Sequence, residues 1–462
     1  MPAPPLSWRR QPTPLRRLLI SETFSLLAAS TAQLSLAWWV GRSGGAGDLS
    51  RYAMLLALGS LLALPLLSPL GDRCAKRPLV RLATLGMLAE TAALCLLALS
   101  GHYRLDWLIA LGLLGTTASA VLLPVLSSML AELVPPAQLP EALRLRRGAQ
   151  ALGSLLGPGL AGGALALGDV GLALSLCLLL AGLSAGAAWR LGSAFQATAS
   201  ARPATGWWQD LRAGLRAKWG VPLDRWWTLS GALMMVFLLP AIGMLLPLRL
   251  QALGLSAAWF GACSAALSLG LLAGVMGLAQ RLISGLNRVR AIALALPVCG
   301  LGMALLGACP WPPGMAMACL LIGLCMSVTQ MVGQSHRLLA IPENFRARMS
   351  AAQLCVAQLA GLAAPAVAGL LLQHLSVAQA YGGLSLAFLA SSLLLLRVPS
   401  LGDFLRLDHE SVRGWYGRQH PEAFGLSREP GIGHGAIPRG AAGVDLTAHR
   451  TMQRPAAHPD GD

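Results

Sequence analysis

From residue 17 to residue 396 the chain alternates long apolar stretches with short polar interruptions, most of them basic. A helix needs about 20 apolar residues to cross the hydrocarbon of a bilayer. Twelve stretches reach that length: 17–40, 52–70, 79–100, 106–131, 146–168, 170–190, 226–248, 256–280, 291–310, 314–335, 349–373 and 376–396. Hydrocarbon offers backbone N–H and C=O groups no partner, and strands could not close a barrel of this hydrophobicity. The pattern therefore predicts an all-α membrane protein with 12 transmembrane helices.

The interruptions set the orientation. With the N-terminus in the cytoplasm, 31 of the 35 Lys and Arg fall on the inner side, and only Arg42, Arg51, Arg104 and Arg249 fall outside. One missed or added span would scramble this positive-inside asymmetry, so both termini are expected to be cytoplasmic. Trp38, Trp39, Trp107, Trp226, Trp227 and Trp311 fall near the expected interfaces, where aromatic belts form.

Composition agrees. Charged residues make up 12% of the chain and mean hydropathy is +0.62, whereas soluble proteins carry about 25% charged residues. A net charge of +16 would suggest nucleic acid in a soluble protein. Here the charges sit in short clusters between spans, so no nucleic-acid partner is expected. The nine cysteines show no CxxC spacing and lie mostly inside apolar runs, where they read as small packing residues, not metal ligands. The N-terminus is basic and then apolar, like a signal peptide, but the run reaches Val40 and is read as an uncleaved first span.

Five segments follow: a cytoplasmic stretch 1–16, a six-helix bundle 17–190, a central cytoplasmic loop 191–225, a second six-helix bundle 226–397, and a tail 398–462. In the loop, Trp208, Leu211, Leu215 and Trp219 recur at helical spacing opposite Arg212, Arg216 and Lys218, which suits an amphipathic helix on the inner membrane surface. The tail is polar and rich in Gly and Pro, and is expected to be disordered. The halves echo each other: the fifth span of each carries a small-Pro-x-x-Ala-Gly run, "GPGLAGG" and "APAVAGL". Repeated halves with Gly/Pro-interrupted helices mark secondary transporters.

Two motifs carry a resemblance. "GDRCAKRP", between the second and third spans, resembles motif A of the major facilitator superfamily, with Gly71, Asp72, Arg73, Lys76 and Arg77 as the matching residues and an imperfect glycine frame. "GSLLGPGLAGG" resembles that superfamily's motif C, the antiporter signature, through Gly153, Gly157, Pro158, Gly162 and Gly163. "LVPPAQLPEALRLRRG", "DLRAGLR" and "IPENFRARMS" resemble the exporter branch that includes enterobactin-type siderophore exporters. The resemblance implies two pseudo-symmetric bundles, a monomer in the bacterial inner membrane, and proton-driven export of a small amphipathic compound, siderophore or drug-like. It also implies that Asp72 latches the inner gate against Arg346 or the helix N-terminus beside it, which attracts an anion. A lipid or lysophospholipid flippase of the same fold is the alternative within the class. A non-transporting sensor acting through its tail is the alternative outside it.

Topology needs cations, not acids, so acids inside spans point to function. A charge at mid-bilayer costs roughly 2.5–3.5 kcal/mol. Glu22, on a polar stripe with Ser25 and Gln33, and Glu90, in the third span, are the candidate proton sites. The third span is peripheral in the family, and spans 1, 4, 7 and 10 line its cavity. Gln33, Thr116, Thr117, Met234, Phe237, Ser327, Gln330 and Gln334 are the cavity candidates on those spans. No P-loop, nucleophile triad or metal-ligand set is present, so no cofactor is expected and an enzyme is improbable.

Overall fold

The computed structural model describes residues 13–67, 75–133, 139–190, 207–398 and 400–424, and every regular element among them is helical. α1 (Thr13–Leu67) is broken at Gly45, whose φ of 69° and ψ of −163° divide it into arms 13–44 and 46–67. Glycine tolerates that backbone because it has no Cβ. α2 (Lys76–Leu99), α3 (Leu105–Leu133), α4 (Leu139–Leu167) and α5 (Val170–Trp189) pack with α1 as a first bundle. α6 (Trp207–Gly220) leads into a second bundle of α7 (Pro222–Ala252), α8 (Ala257–Leu286), α9 (Arg288–Ala308), α10 (Pro312–Ala340), α11 (Arg346–His374) and α12 (Val377–Leu396). Ten of these, α2 to α5 and α7 to α12, are long and apolar enough to cross a membrane. The first two expected spans fall on the arms of α1.

Large apolar side chains such as Leu82, Leu96, Met276 and Leu386 stay exposed around the bundles, as a lipid-facing surface requires. Most described basic residues lie at one end, here called the basic end. Arg42, Arg51, Arg104 and Arg249 lie beside the loops of the opposite, distal end. α7 widens into a π-type turn at Ala241–Leu245 directly after Pro240, which lacks an N–H. The buried Tyr381 hydroxyl of α12 donates to the Ala241 carbonyl in this turn at 2.6 Å.

One expectation is corrected here. Residues 400–424, placed in the disordered tail, form short helices α13 (Leu401–Arg406), α14 (His409–Val412) and α15 (Trp415–Gln419) that dock on the second bundle. The reason is aromatic burial. Phe404 is fully buried, stacks on Tyr416 at 5.8 Å and meets His336 and Trp227 edge-on. α6 packs on the second bundle: its Leu211 and Ala217 are buried, and Gly214 sits against the Arg348 backbone of α11.

Candidate functional site

A cavity of about 590 Å³ opens between the bundles, within the 300–1,000 Å³ range usual for small-molecule sites. Both arms of α1, together with α2 and α3, form most of its wall, and α7 and α11 close the other side. Small residues make the room: Ala28, Ala29, Ala32, Gly112, Gly115 and Ala120 all line it. The widened turn of α7 also reaches it, through Pro240, Gly243 and Met244.

Glu90 lines this cavity. The sequence places it on a helix taken as peripheral, and the structure brings it inward because α3 has a glycine opposite. A Cβ added at Gly115 would overlap the Glu90 carboxylate. Among the described residues no cation pairs with Glu90. Tyr52, from the second arm of α1, lies in the same wall.

Glu22 behaves differently. It is 1% exposed and accepts from Arg146 Nε at 2.8 Å on both carboxylate oxygens and from Gln150 Nε2 at 2.9 Å. Glu22 is thus engaged by a guanidinium and an amide, and it is not among the described residues that line the cavity. Arg146 escaped the sequence reading because an inner-side arginine already had a topological explanation. Arg146 and Gln150, four apart and so on one face of α4, were the available signal.

Of the remaining cavity candidates, Gln33 and Thr116 line the cavity. Thr117 is exposed and donates to the Leu114 carbonyl. Met234 and Phe237 pack against the core, ahead of the α7 residues Leu239, Pro240, Gly243 and Met244 that do line it. Ser327 is buried against Gly274 of α8, and Gln330 is exposed. α10 therefore contributes nothing to the described lining; Leu239 to Met244 of α7 and Gly361 to Pro365 of α11 stand there instead. The Gln334 side chain, and Gly71, Asp72 and Arg73 of the motif A stretch, lie outside the described residues. Among the described residues, Arg346 lies 3.5 Å from Glu343 and donates to the Ile341 carbonyl, both in its own half. Lys76 and Arg77 open α2, and Arg77 lines a shallow groove with Arg81 and Trp189.

The motif C glycines are contact points. A Cβ at Gly153 would lie 2.8 Å from Leu26 Cβ, and one at Gly157 would overlap Ser30, both on α1. On another face of α4, a Cβ at Gly162 would lie 2.5 Å from the Gly261 Cα of α8. Gly163 faces open space. α4 thus touches α8 of the other bundle backbone to backbone. Other inter-bundle contacts gather in the same distal half. Gln251 donates to the Trp38 carbonyl at 3.1 Å, Trp38 stacks on Phe260 at 5.9 Å, and Ser50 donates to the Pro365 carbonyl at 2.9 Å. Gln358 reaches Ser60 near mid-height.

A second polar cluster lies at the basic end of the second bundle. Asp224, fully buried, accepts from Lys218 at 2.7 Å and Arg337 at 2.6 Å, while Thr228, Gln353 and Tyr416 close the network. Burial pushes the Lys218 ammonium below its ordinary range, with Asp224 acting against that. The cluster ties α6, α7, α10, α11 and the docked segment together and is remote from the cavity lining.

Comparison with known proteins places the chain. The family model described as Major Facilitator Superfamily matches residues 18–365. No curated protein sequence matches significantly. Among solved structures, a peptide transporter POT in complex with sulfate aligns with a TM-score of 0.66 at 15% identity, over 87% of this chain and 97% of that one. The nucleoside transporter NupG aligns with a TM-score of 0.65 at 10% identity, over 86% and 100%. A bacterial homolog of the human lysosomal transporter Spinster, inward-facing and unoccupied, aligns with a TM-score of 0.61 at 14% identity, over 89% and 97%.

Proposed function

The chain belongs to the major facilitator superfamily, a multi-pass membrane transporter and not an enzyme, and from that premise we propose that it is a proton-coupled exporter of a small amphipathic compound. The observation that carries the reading is a carboxyl, Glu90, with no cation partner among the described residues, in the wall of a largely apolar cavity between two bundles. Glu90 takes the proton, and the substrate occupies the space beside Gln33, Tyr52 and Thr116. Glu22 is assigned to structure through Arg146.

Counting the arms of α1 as two spans gives twelve crossings, with both termini cytoplasmic in a bacterial inner membrane. The distal end is then periplasmic. The contacts gathered there support a state closed to the outside, with the cavity extending toward the cytoplasm past Ser25, Thr84 and Ser184. Alternating access would separate α4 from α8 at the Gly162–Gly261 contact. The antiporter-like glycine run supports export, and Asp72 remains the proposed inner-gate latch.

The test is transport by purified protein in proteoliposomes with a pH-sensitive dye inside. Substrate movement should drive counter-movement of protons in the wild type. Glu90→Gln should lose proton movement while retaining substrate exchange. Unchanged proton coupling in that variant would refute Glu90 as the proton site. A chain ending at residue 424 should transport normally, and loss of transport there would favour a tail-dependent role.

A further inference from the structure

The described lining of the cavity contains one acid, Glu90, and no Arg, Lys or His. Three cations of the described residues are engaged elsewhere, Arg146 with Glu22, and Arg337 and Lys218 with Asp224. In the same lining, α1 presents Tyr52 and Gln33, α3 presents Gly112, Gly115 and Thr116, and α5 presents Ala181 and Ser184, with Gly115 directly against the Glu90 carboxylate. Tyr52 is the one other titratable group on those faces. The rest of the wall is mostly Ala, Leu and Met, with the neutral hydroxyls of Ser25, Ser60, Thr84, Thr91 and Ser119 among them.

An anionic ligand would enter this space without a counter-charge and against a carboxylate. A neutral ligand would leave the carboxylate unbalanced whenever no proton is present. A lipophilic cation satisfies both requirements, because its charge offsets Glu90 and its body fills the apolar wall. We infer that the cavity selects a monovalent lipophilic cation, with its charged centre beside Glu90. This rests on the transporter reading above and narrows it, arguing against an anionic chelator as the cargo. Cation and proton then exclude one another at a single carboxyl, so entry of one ejects the other without any further coupling device.

The experiment is equilibrium binding to the purified full chain in detergent, using three probes of similar shape: tetraphenylphosphonium, tetraphenylborate and neutral triphenylphosphine oxide. Tetraphenylphosphonium should bind at least about tenfold more tightly than either of the others, the size of one charge-assisted contact. Its affinity should fall as pH is lowered, since protons compete. Glu90→Gln should lose both the preference and the pH dependence, and Glu90→Asp should keep them. If Glu90→Gln does not fold, the wild-type pH dependence and the Glu90→Asp variant decide the matter. Equal binding of all three probes, or tighter binding of the borate, overturns the charge selection while leaving a binding cavity in place. Binding of none overturns the selection and the cavity reading together.

Discussion

Asp224 offers the sharpest test of the energetics. It is fully buried and shared by Lys218, 2% exposed, and Arg337, 15% exposed. Asp224→Asn preserves shape but leaves two buried cations facing each other. Removing one member of a buried ion pair costs roughly 3–5 kcal/mol. Lys218→Met keeps the volume and leaves Arg337 on Asp224 through two hydrogen bonds of 2.9 and 2.6 Å. With Asp224 still paired to Arg337, this variant should cost less than Asp224→Asn. The double variant should be more stable than the sum of the single effects by about 1–3 kcal/mol, because the partner stranded by one change is removed by the other. Reversible unfolding of purified protein in mixed micelles reads all three values. The reasoning fails if Asp224→Asn is no more damaging than Lys218→Met, or if the two effects simply add. A pH series extends the test. Burial depresses the Lys218 ammonium in the folded chain, relative to about 10.4 in the unfolded one. The folded form therefore releases its proton first, and stability should rise as pH climbs through that window. Lys218→Met should abolish the rise.

Three further outcomes are expected. Gly162→Val should force α4 from α8 at an overpacking cost of about 1–3 kcal/mol, reduce transport and raise labelling of a distal cysteine, whereas Gly163→Val, facing open space, should leave both unchanged. Arg146→Gln should destabilise more than Glu22→Gln by thermal shift, because Glu22 is the more deeply buried partner. Phe404→Ala should cost about 3–5 kcal/mol, as for a buried core aromatic, and truncation before residue 400 should lower the melting temperature while truncation after 424 should not.

The apolar stretches made most of the architecture legible, since a lipid solvent leaves helices as the economical solution and each reaches the needed length. The motif C glycines were legible too, because Gly153, Gly157 and Gly162 have no reason to recur on one helix unless other backbones approach it. The cavity was less so. α10 and α7 are apolar almost all round, so the pattern could not say which face of Ser327 or Met234 meets a neighbour. Glu90 was visible as an anomaly, but its route inward depends on Gly115, on another helix. Glu22 and Arg146 are 124 positions apart, and the pairing of such distant residues is settled by helix packing alone. In the tail, four aromatics between Phe404 and Phe424 signalled burial that the Gly/Pro content concealed.

The docked segment 400–424 makes the two halves mechanically unequal. With α6 it binds the basic end of one half into a single block, while the other half has no such brace among the described residues. Any rocking between them should then register as swinging of the first half against a fixed frame. A probe attached at Arg418 of α15 would ride with the frame, and a second one near residue 13 would trace the arc of the moving part.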